Sequence, residues 1–207
     1  MSVALHSNVL PISSRVPFPS GRSFEVRRLR RNLQSLLLSH SHFQIVGRDR
    51  RVEVAVQAAG VNVEELVILK VATPNLGAMT IICVPSRLSQ LPRVLSALLH
   101  IKREGKAEGR KMVIVPAAFV HRQPRLSSAR AIEDASGFHV SRSNRLAVLE
   151  HLLERGQSTL MNCALAVDHP APFACVLQMV AAGDLKMNLN KRLRPETRIE
   201  IARGDSK

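Results

Sequence analysis

Aromatic residues are scarce in this chain of 207 residues: they make up 3% of it, and Trp and Tyr are absent. Because aromatic rings are the usual stacking platforms for unpaired bases, this scarcity argues against an RNA-binding sheet. The cysteines Cys83, Cys163 and Cys175 are far apart and form no Cys-x-x-Cys pair. Such spacing is typical of small buried residues in a reducing compartment rather than of a disulfide or a zinc site. No apolar run approaches the roughly 20 residues that a membrane-spanning helix needs.

Short catalytic motifs are missing as well. The sequence contains neither the GxxxxGK(S/T) loop that cradles nucleotide phosphates nor the G-x-S-x-G turn of serine hydrolases, which argues against ATP use and serine hydrolysis. The 8 histidines include no His-x-x-x-His pair. We therefore expect loop histidines and no metal site among them.

Acidic residues are outnumbered by basic ones, 16 to 30, and the formal net charge is +14. Such an excess favours a polyanionic partner, above all DNA, over the alternative of a solvated basic surface. Residues 1–141 hold 20 of the basic residues and 9 of the acidic ones. The residues expected to contact phosphate are Arg27, Arg28, Arg30, Arg31, Arg48, Arg50, Arg51, Arg122, Arg125, Lys191, Arg192 and Arg194.

The last third of the chain has the pattern of a winged helix-turn-helix domain, residues 142–204. Leucines at helical spacing predict a helix over 144–155, and a second helix is expected over 158–167 with Ser158 as its N-cap. A third helix is predicted over 172–182, ending at Gly183. Alternation over 185–189 and 197–203 predicts two strands joined by a basic loop. The predicted third helix carries no charged residue, so base readout by it is not expected.

The preceding part, residues 23–141, predicts an α/β domain with mixed strand pairing. A basic amphipathic helix is expected over 23–38, and a second over 87–103. Strands are predicted at 43–46, 51–57, 65–71, 79–84 and 111–115, with a flexible loop at 105–109. The run 79–84 is apolar throughout, as in a strand buried on both faces. Residues 1–22 are expected to form a disordered or loosely docked arm.

This order of elements resembles the TnsA family, the endonuclease subunits of heteromeric cut-and-paste transposases. Three segments carry the likeness: VIVPAAFVHRQPRLSSARAI at 113–132, LKMNLNKRLRPETRIEI at 185–201, and the basic helix around Phe24 and Glu25. The resemblance implies a restriction-endonuclease-like core, a mixed β-sheet with flanking helices, followed by the winged helix domain. It also implies a Mg²⁺-dependent DNA endonuclease as the ancestral activity.

The same resemblance indicates that the nuclease site has degenerated. The family's Glu-x-Lys falls on Ile82-Cys83-Val84, and a hard divalent cation needs oxygen ligands that an apolar strand lacks. Glu25 and Glu65 correspond to the remaining acidic positions, as vestigial candidates or as solvated carboxylates. We therefore expect no resident metal, with Mg²⁺ relevant only if the site is active, and an enzyme is not the favoured reading.

The favoured function is that of a DNA-binding pseudonuclease of a mobile element, acting in transposition or recombination in the cytoplasm of a bacterium, at the nucleoid. Besides DNA, the resemblance implies two protein partners, a second transposase subunit and an ATPase regulator. Both would be contacted through the C-terminal domain. Two alternatives remain: an active metal-dependent endonuclease with unorthodox ligands, and a winged-helix transcriptional regulator without a link to transposition.

Overall fold

The computed structural model describes residues 23–40, 42–74 and 76–202, so the predicted arm at 1–22 lies outside the described residues. The elements of the first part are α1 (Phe24–Leu38), β1 (Gln44–Gly47), α2 (Arg50–Ala58), a 3₁₀ turn (Val63–Glu65), β2 (Val67–Thr73), β3 (Gly77–Val84), α3 (Ser86–Ser89), α4 (Pro92–Ala107), β4 (Lys111–Pro116), α5 (Ala117–Val120) and α6 (Arg125–Ala135). The elements of the second part are α7 (Arg142–Arg155), β5 (Ser158–Thr159), α8 (Leu160–Leu165), α9 (Pro172–Ala182), β6 (Leu185–Met187) and β7 (Arg198–Ile201).

The first part is built around a mixed four-stranded sheet in the order β1-β2-β3-β4. β1, β2 and β3 pair antiparallel, and β3 pairs parallel to β4. A parallel pair needs a long crossover, which α4 supplies between these two strands. The predicted α/β class with a mixed sheet and flanking helices is confirmed.

Helices cover both faces of this sheet. On one face α1, α5 and α6 pack with alternate side chains of β2 and β3, including Leu69 and Cys83. On the other face α2 and α4 pack with the intervening side chains, including Ile68 and Ile82. As predicted, the apolar run of β3 is buried on both sides: residues 81–84 are at most 6% exposed.

The strand predicted at 51–57 is wrong, because this segment forms α2. Asp49 caps the helix by accepting from the backbone N–H of Val52 at 3.3 Å. Val52 and Val56, one helical turn apart, are both fully buried, whereas Val54 is 66% exposed. The alternation of valines therefore concealed a helical i, i+4 pair.

Two further boundaries differ from the sequence-based expectation around α4. The helix predicted over 87–103 is divided into α3 and α4, with Pro92 in the first turn of α4. The predicted loop at 105–109 is wrong at its start, since α4 continues to Ala107. Gly105 lies inside this helix, where an added Cβ would lie 2.0 Å from the methyl carbon of Met112 unless that side chain moved.

The second part contains a three-stranded antiparallel sheet in the order β5-β7-β6, packed against α7, α8 and α9. Gly183 ends α9 in the left-handed conformation, as predicted. Ser158 is not the N-cap of the next helix: it pairs with Ile199 in β5, and Thr159 caps α8 instead. This strand pairing is long-range and therefore has no local sequence signal.

Helix α6 belongs to two apolar cores at once. Leu126 and Ala129 pack in the core beneath α1, while Ile132 and Ala135 pack in the core of the second part. The division at residues 141 and 142 stays a prediction. No helix within the described ranges is long and apolar enough to cross a membrane.

Candidate nucleic-acid interface

The positions expected to hold the nuclease acid and lysine lie in the apolar core. Ile82 is 0% and Val84 is 1% exposed, and both pack among the side chains of the core beside α2 and α4. An oxygen-ligated cation cannot be held by such side chains. Within the ranges that the structure describes, no group of three or more His, Cys, Asp or Glu residues is placed to hold a metal ion.

Glu65 lies at the end of the 3₁₀ turn that precedes β2. Its Oε1 accepts from Nη2 of Arg87 at 2.8 Å, and 36% of its side chain is exposed. The carboxylate is thus part of a surface ion pair with a residue of α3. Such exposed pairs contribute about 0–1 kcal/mol, so a solvated surface role accounts for Glu65.

Glu25 lies in the first turn of α1, where a carboxylate is favourable for the helix dipole. It is one of three charged side chains that act on the imidazole of His121, the others being Arg28 and Arg130. Burial is the main cause of the lowered pKa of His121; Arg28 lowers it further, Glu25 raises it, and Arg130 adds a smaller lowering. The structure therefore places Glu25 among the charged side chains around His121, whereas Glu65 pairs with Arg87.

The basic side chains of α1 divide between surface and core. Arg27, Arg28 and Arg31 are exposed, and none of them makes an ion pair with another described residue. Arg30 is 1% exposed, because it shares the buried side of the helix with Leu29. Its guanidinium is not available at the surface, so the prediction that Arg30 contacts phosphate is not supported by its burial.

The segment from α5 to α6 extends this basic region. Arg130 of α6 donates from Nη2 to Oδ1 of Asn32 at 2.6 Å, which ties α6 to α1. Arg125 stacks over the ring of Phe119, with 4.7 Å between the guanidinium carbon and the ring centroid. Arg122 is exposed beside His121. We call this region the α1–α6 basic surface; it consists of Arg27, Arg28, Arg31, Arg122, Arg125 and Arg130.

The cluster at the start of α2 lies elsewhere, because α2 covers the opposite face of the sheet from α1. Arg48 donates from Nε to Oε1 of Glu53 at 2.6 Å, and its Nη2 is 3.9 Å from Oε1 of Glu64. Arg50 and Arg51 are exposed at the first turn of α2. An open cleft of about 450 Å³ at this place is lined by both signs of charge. It suits phosphate less well than the α1–α6 basic surface.

The loop between β6 and β7, residues 188–197, exposes Lys191, Arg192 and Arg194. We call it the ribbon loop. Ser128 of α6 donates from Oγ to the carbonyl oxygen of Lys191 at 3.2 Å, so the ribbon loop lies against α6. Its far end is fixed by Thr197, whose Oγ1 accepts from the backbone N–H of Arg194 at 2.8 Å. One helix therefore positions the basic groups of both parts of the chain.

Helix α6 also covers the third helix of the second part. α6 and α9 pack closely, and Ile132 of α6 lies in the same core as Val176 and Met179 of α9. On α9 only the ends, Phe173 and Ala182, are exposed. Entry of α9 into a DNA groove would require α6 to leave, which agrees with the absence of charge on this helix.

Sequence reasoning placed the segment 121–130 in the expected basic footprint, but it named only Arg122 and Arg125 as phosphate contacts and gave no role to Asn32. Arg130 lies within the segment at 113–132 that resembles the TnsA family. Its distance of five positions from Arg125 is longer than one helical turn, so spacing alone does not place the two arginines together. Only the packing of α6 on α1 brings Arg130 to Asn32, which no local pattern reveals.

No model of a known protein family matches the chain, and no curated protein sequence matches it.

Proposed function

We propose that this protein binds DNA through its phosphate backbone, without reading bases and without cutting. The observation that carries this proposal is the α1–α6 basic surface, where Arg27, Arg28 and Arg31 are exposed and make no ion pair with a described carboxylate, and where Glu25 is the one described acid that acts on His121 beside them. Guanidinium groups that reach phosphate give affinity that is independent of sequence and sensitive to salt.

The proposed fold is a degenerate restriction-endonuclease-like core followed by a winged helix. The four-stranded mixed sheet with helices on both faces supports the first, and the order helix, strand, two helices and hairpin in the second part supports the second. The apolar packing of Ile82 and Val84 supports loss of the nuclease site. A TnsA-like role at a bacterial mobile element follows from the resemblance of the segments named above.

The exposed apolar side chains of the second part support a protein partner there, as the TnsA resemblance implies. Leu153 is 73% and Leu165 is 77% exposed, and exposed apolar side chains that form a contiguous patch mark an interaction surface. A second transposase subunit or an ATPase regulator is the proposed occupant. A transcriptional regulator is less well supported, because α6 covers the helix that would read bases.

Fluorescence anisotropy with three unrelated 30-base-pair duplexes tests the proposal. We expect equal affinity for all three within about tenfold, and a linear fall of log K with log salt concentration. Absence of binding at low salt would refute the proposal. A preference for one duplex of more than about 1,000-fold would instead indicate specific base readout, in the range of sequence-specific proteins.

A further inference from the structure

The second part contains an open cleft that no sequence pattern singled out. It lies where the end of α7, β5, the start of α8 and the start of β7 meet, and it has a volume of about 380 Å³. Its described lining residues are Arg155, Gln157, Ser158, Thr159, Asn162 and Arg198. All of these side chains carry hydrogen-bond donors and none is a carboxylate, but Gln157 already donates to Glu200 and Ser158 is paired with His151, which leaves the two arginines, Thr159 and Asn162 for a ligand.

The two arginines of the cleft are held on neighbouring elements. Arg198 pairs across the sheet with Thr159, and Arg155 is the last residue of α7, before the turn at Gly156. Both arginines are exposed, and neither makes an ion pair with another residue that the structure describes. Glu200, the nearest acid along β7, is instead engaged by Lys186 and Gln157.

The positive character of the cleft comes from these side chains and not from the short helix α8. The backbone N–H of Leu160 donates to the carbonyl of Thr197 at 2.8 Å, and that of Met161 donates to the carbonyl of Pro195 at 2.9 Å. These bonds also fix the ribbon loop to the rim of the cleft. The C-terminal end of the ribbon loop, which follows Arg194, therefore adjoins the cleft.

We propose that this cleft is a phosphodiester-binding site for DNA, a second contact besides the α1–α6 basic surface; this inference rests on the proposed function. Two guanidinium groups together with hydroxyl and amide donors match the several acceptor oxygens of a phosphate group. Continuity with the ribbon loop, with no described carboxylate in the lining, favours an extended polyanion over a single small anion. The site anchors the backbone and carries no sequence choice.

The test compares the double variant Arg155→Ala/Arg198→Ala with a charge-matched control on α4, Lys102→Ala/Arg103→Ala. If both arginines contact phosphate, the slope of log K against log salt becomes shallower by about 2, roughly 0.9 for each contact, while the control keeps the wild-type slope. A third variant, Arg155→Lys/Arg198→Lys, preserves the charge and should keep most of the slope. Circular dichroism confirms that each variant is folded.

The outcomes separate this inference from the proposed function. Wild-type protein that fails to bind DNA overturns both. Wild-type protein that binds, with the cleft variant equal to the α4 control, overturns the cleft alone. Isothermal titration with inorganic phosphate tests whether the cleft binds a small free anion instead of the DNA backbone. A cleft variant that loses phosphate binding but keeps the wild-type salt slope for DNA would show a small-anion site and would also overturn the inference.

Discussion

Neutralising the exposed arginines of α1 should weaken DNA binding in a salt-dependent way. The variant Arg27→Ala/Arg28→Ala/Arg31→Ala removes three exposed guanidinium groups without touching the buried side of the helix. Alanine is a good helix former, and exposed substitutions of this kind change the free energy of unfolding by about 0.5 kcal/mol or less. Any large change in DNA affinity would therefore come from lost contacts rather than from lost structure.

The magnitude follows from counterion release. Three lost phosphate contacts make the slope of log K against log salt shallower by about 2.7, so the ratio of wild-type to variant affinity shrinks by about 40-fold between 50 and 200 mM salt. The assay is fluorescence anisotropy with one 30-base-pair duplex at five salt concentrations. The control variant on α4, Lys102→Ala/Arg103→Ala/Lys106→Ala, loses the same net charge. Equal slopes for the two triple variants would refute the reasoning, because net charge alone would then explain the binding.

Three further predictions concern His121, Ile82 and Asn144. Arg28→Ala should raise the pKa of His121, measured by NMR, because Arg28 is one cause of its lowering. Since the lowered pKa favours the neutral ring in the folded state, the free energy of unfolding should fall as the pH drops below 6.5. His121→Gln should reduce that fall. Ile82→Glu should cost about 4 kcal/mol or more in urea denaturation, since it buries a carboxylate at a fully buried position; a folded variant that nicks DNA would contradict this. Asn144→Ala should cost about 1–3 kcal/mol, because the backbone N–H and carbonyl of Asp168, each 3.1 Å from the Asn144 amide, lose their partners; an unchanged denaturation midpoint would contradict it.

Much of the secondary structure is readable from the sequence where a pattern is long or sharply bounded. The helix at α1 has a capping serine and a sustained apolar stripe, and α9 is bounded by Pro172 and Gly183. The apolar run of β3 is also readable, because its short length and the preceding turn favour a strand buried on both faces over a helix. These elements were predicted because each is specified by neighbouring residues.

Helix α2 shows where local pattern is insufficient. Its valines satisfy a strand period and a helical period equally well over so few residues. The choice is made by tertiary structure: Asp49 caps the helix while its other carboxylate oxygen accepts from Thr80 of β3 at 2.5 Å. A contact between residues 31 positions apart leaves no trace in the helical segment itself.

The candidate interface was predictable as a set of charges and not as a surface. The arginines of α1 were identified from the sequence, yet Arg30 is 1% exposed on the buried side of that helix. The covering of α9 by α6, and the placement of Arg155 and Arg198 on one cleft, depend on pairings between distant segments. Such pairings decide which charged groups share one face.

The central claim is that this protein binds DNA without cutting it. Incubation of the purified protein with supercoiled plasmid, with Mg²⁺, with Mn²⁺ and with chelator, tests it directly, when retardation of the plasmid is followed on the same gel. We predict retardation that disappears as salt rises, and no nicked or linear product under any metal condition. Metal-dependent nicking that is lost in Glu25→Gln or Glu65→Gln would contradict the account.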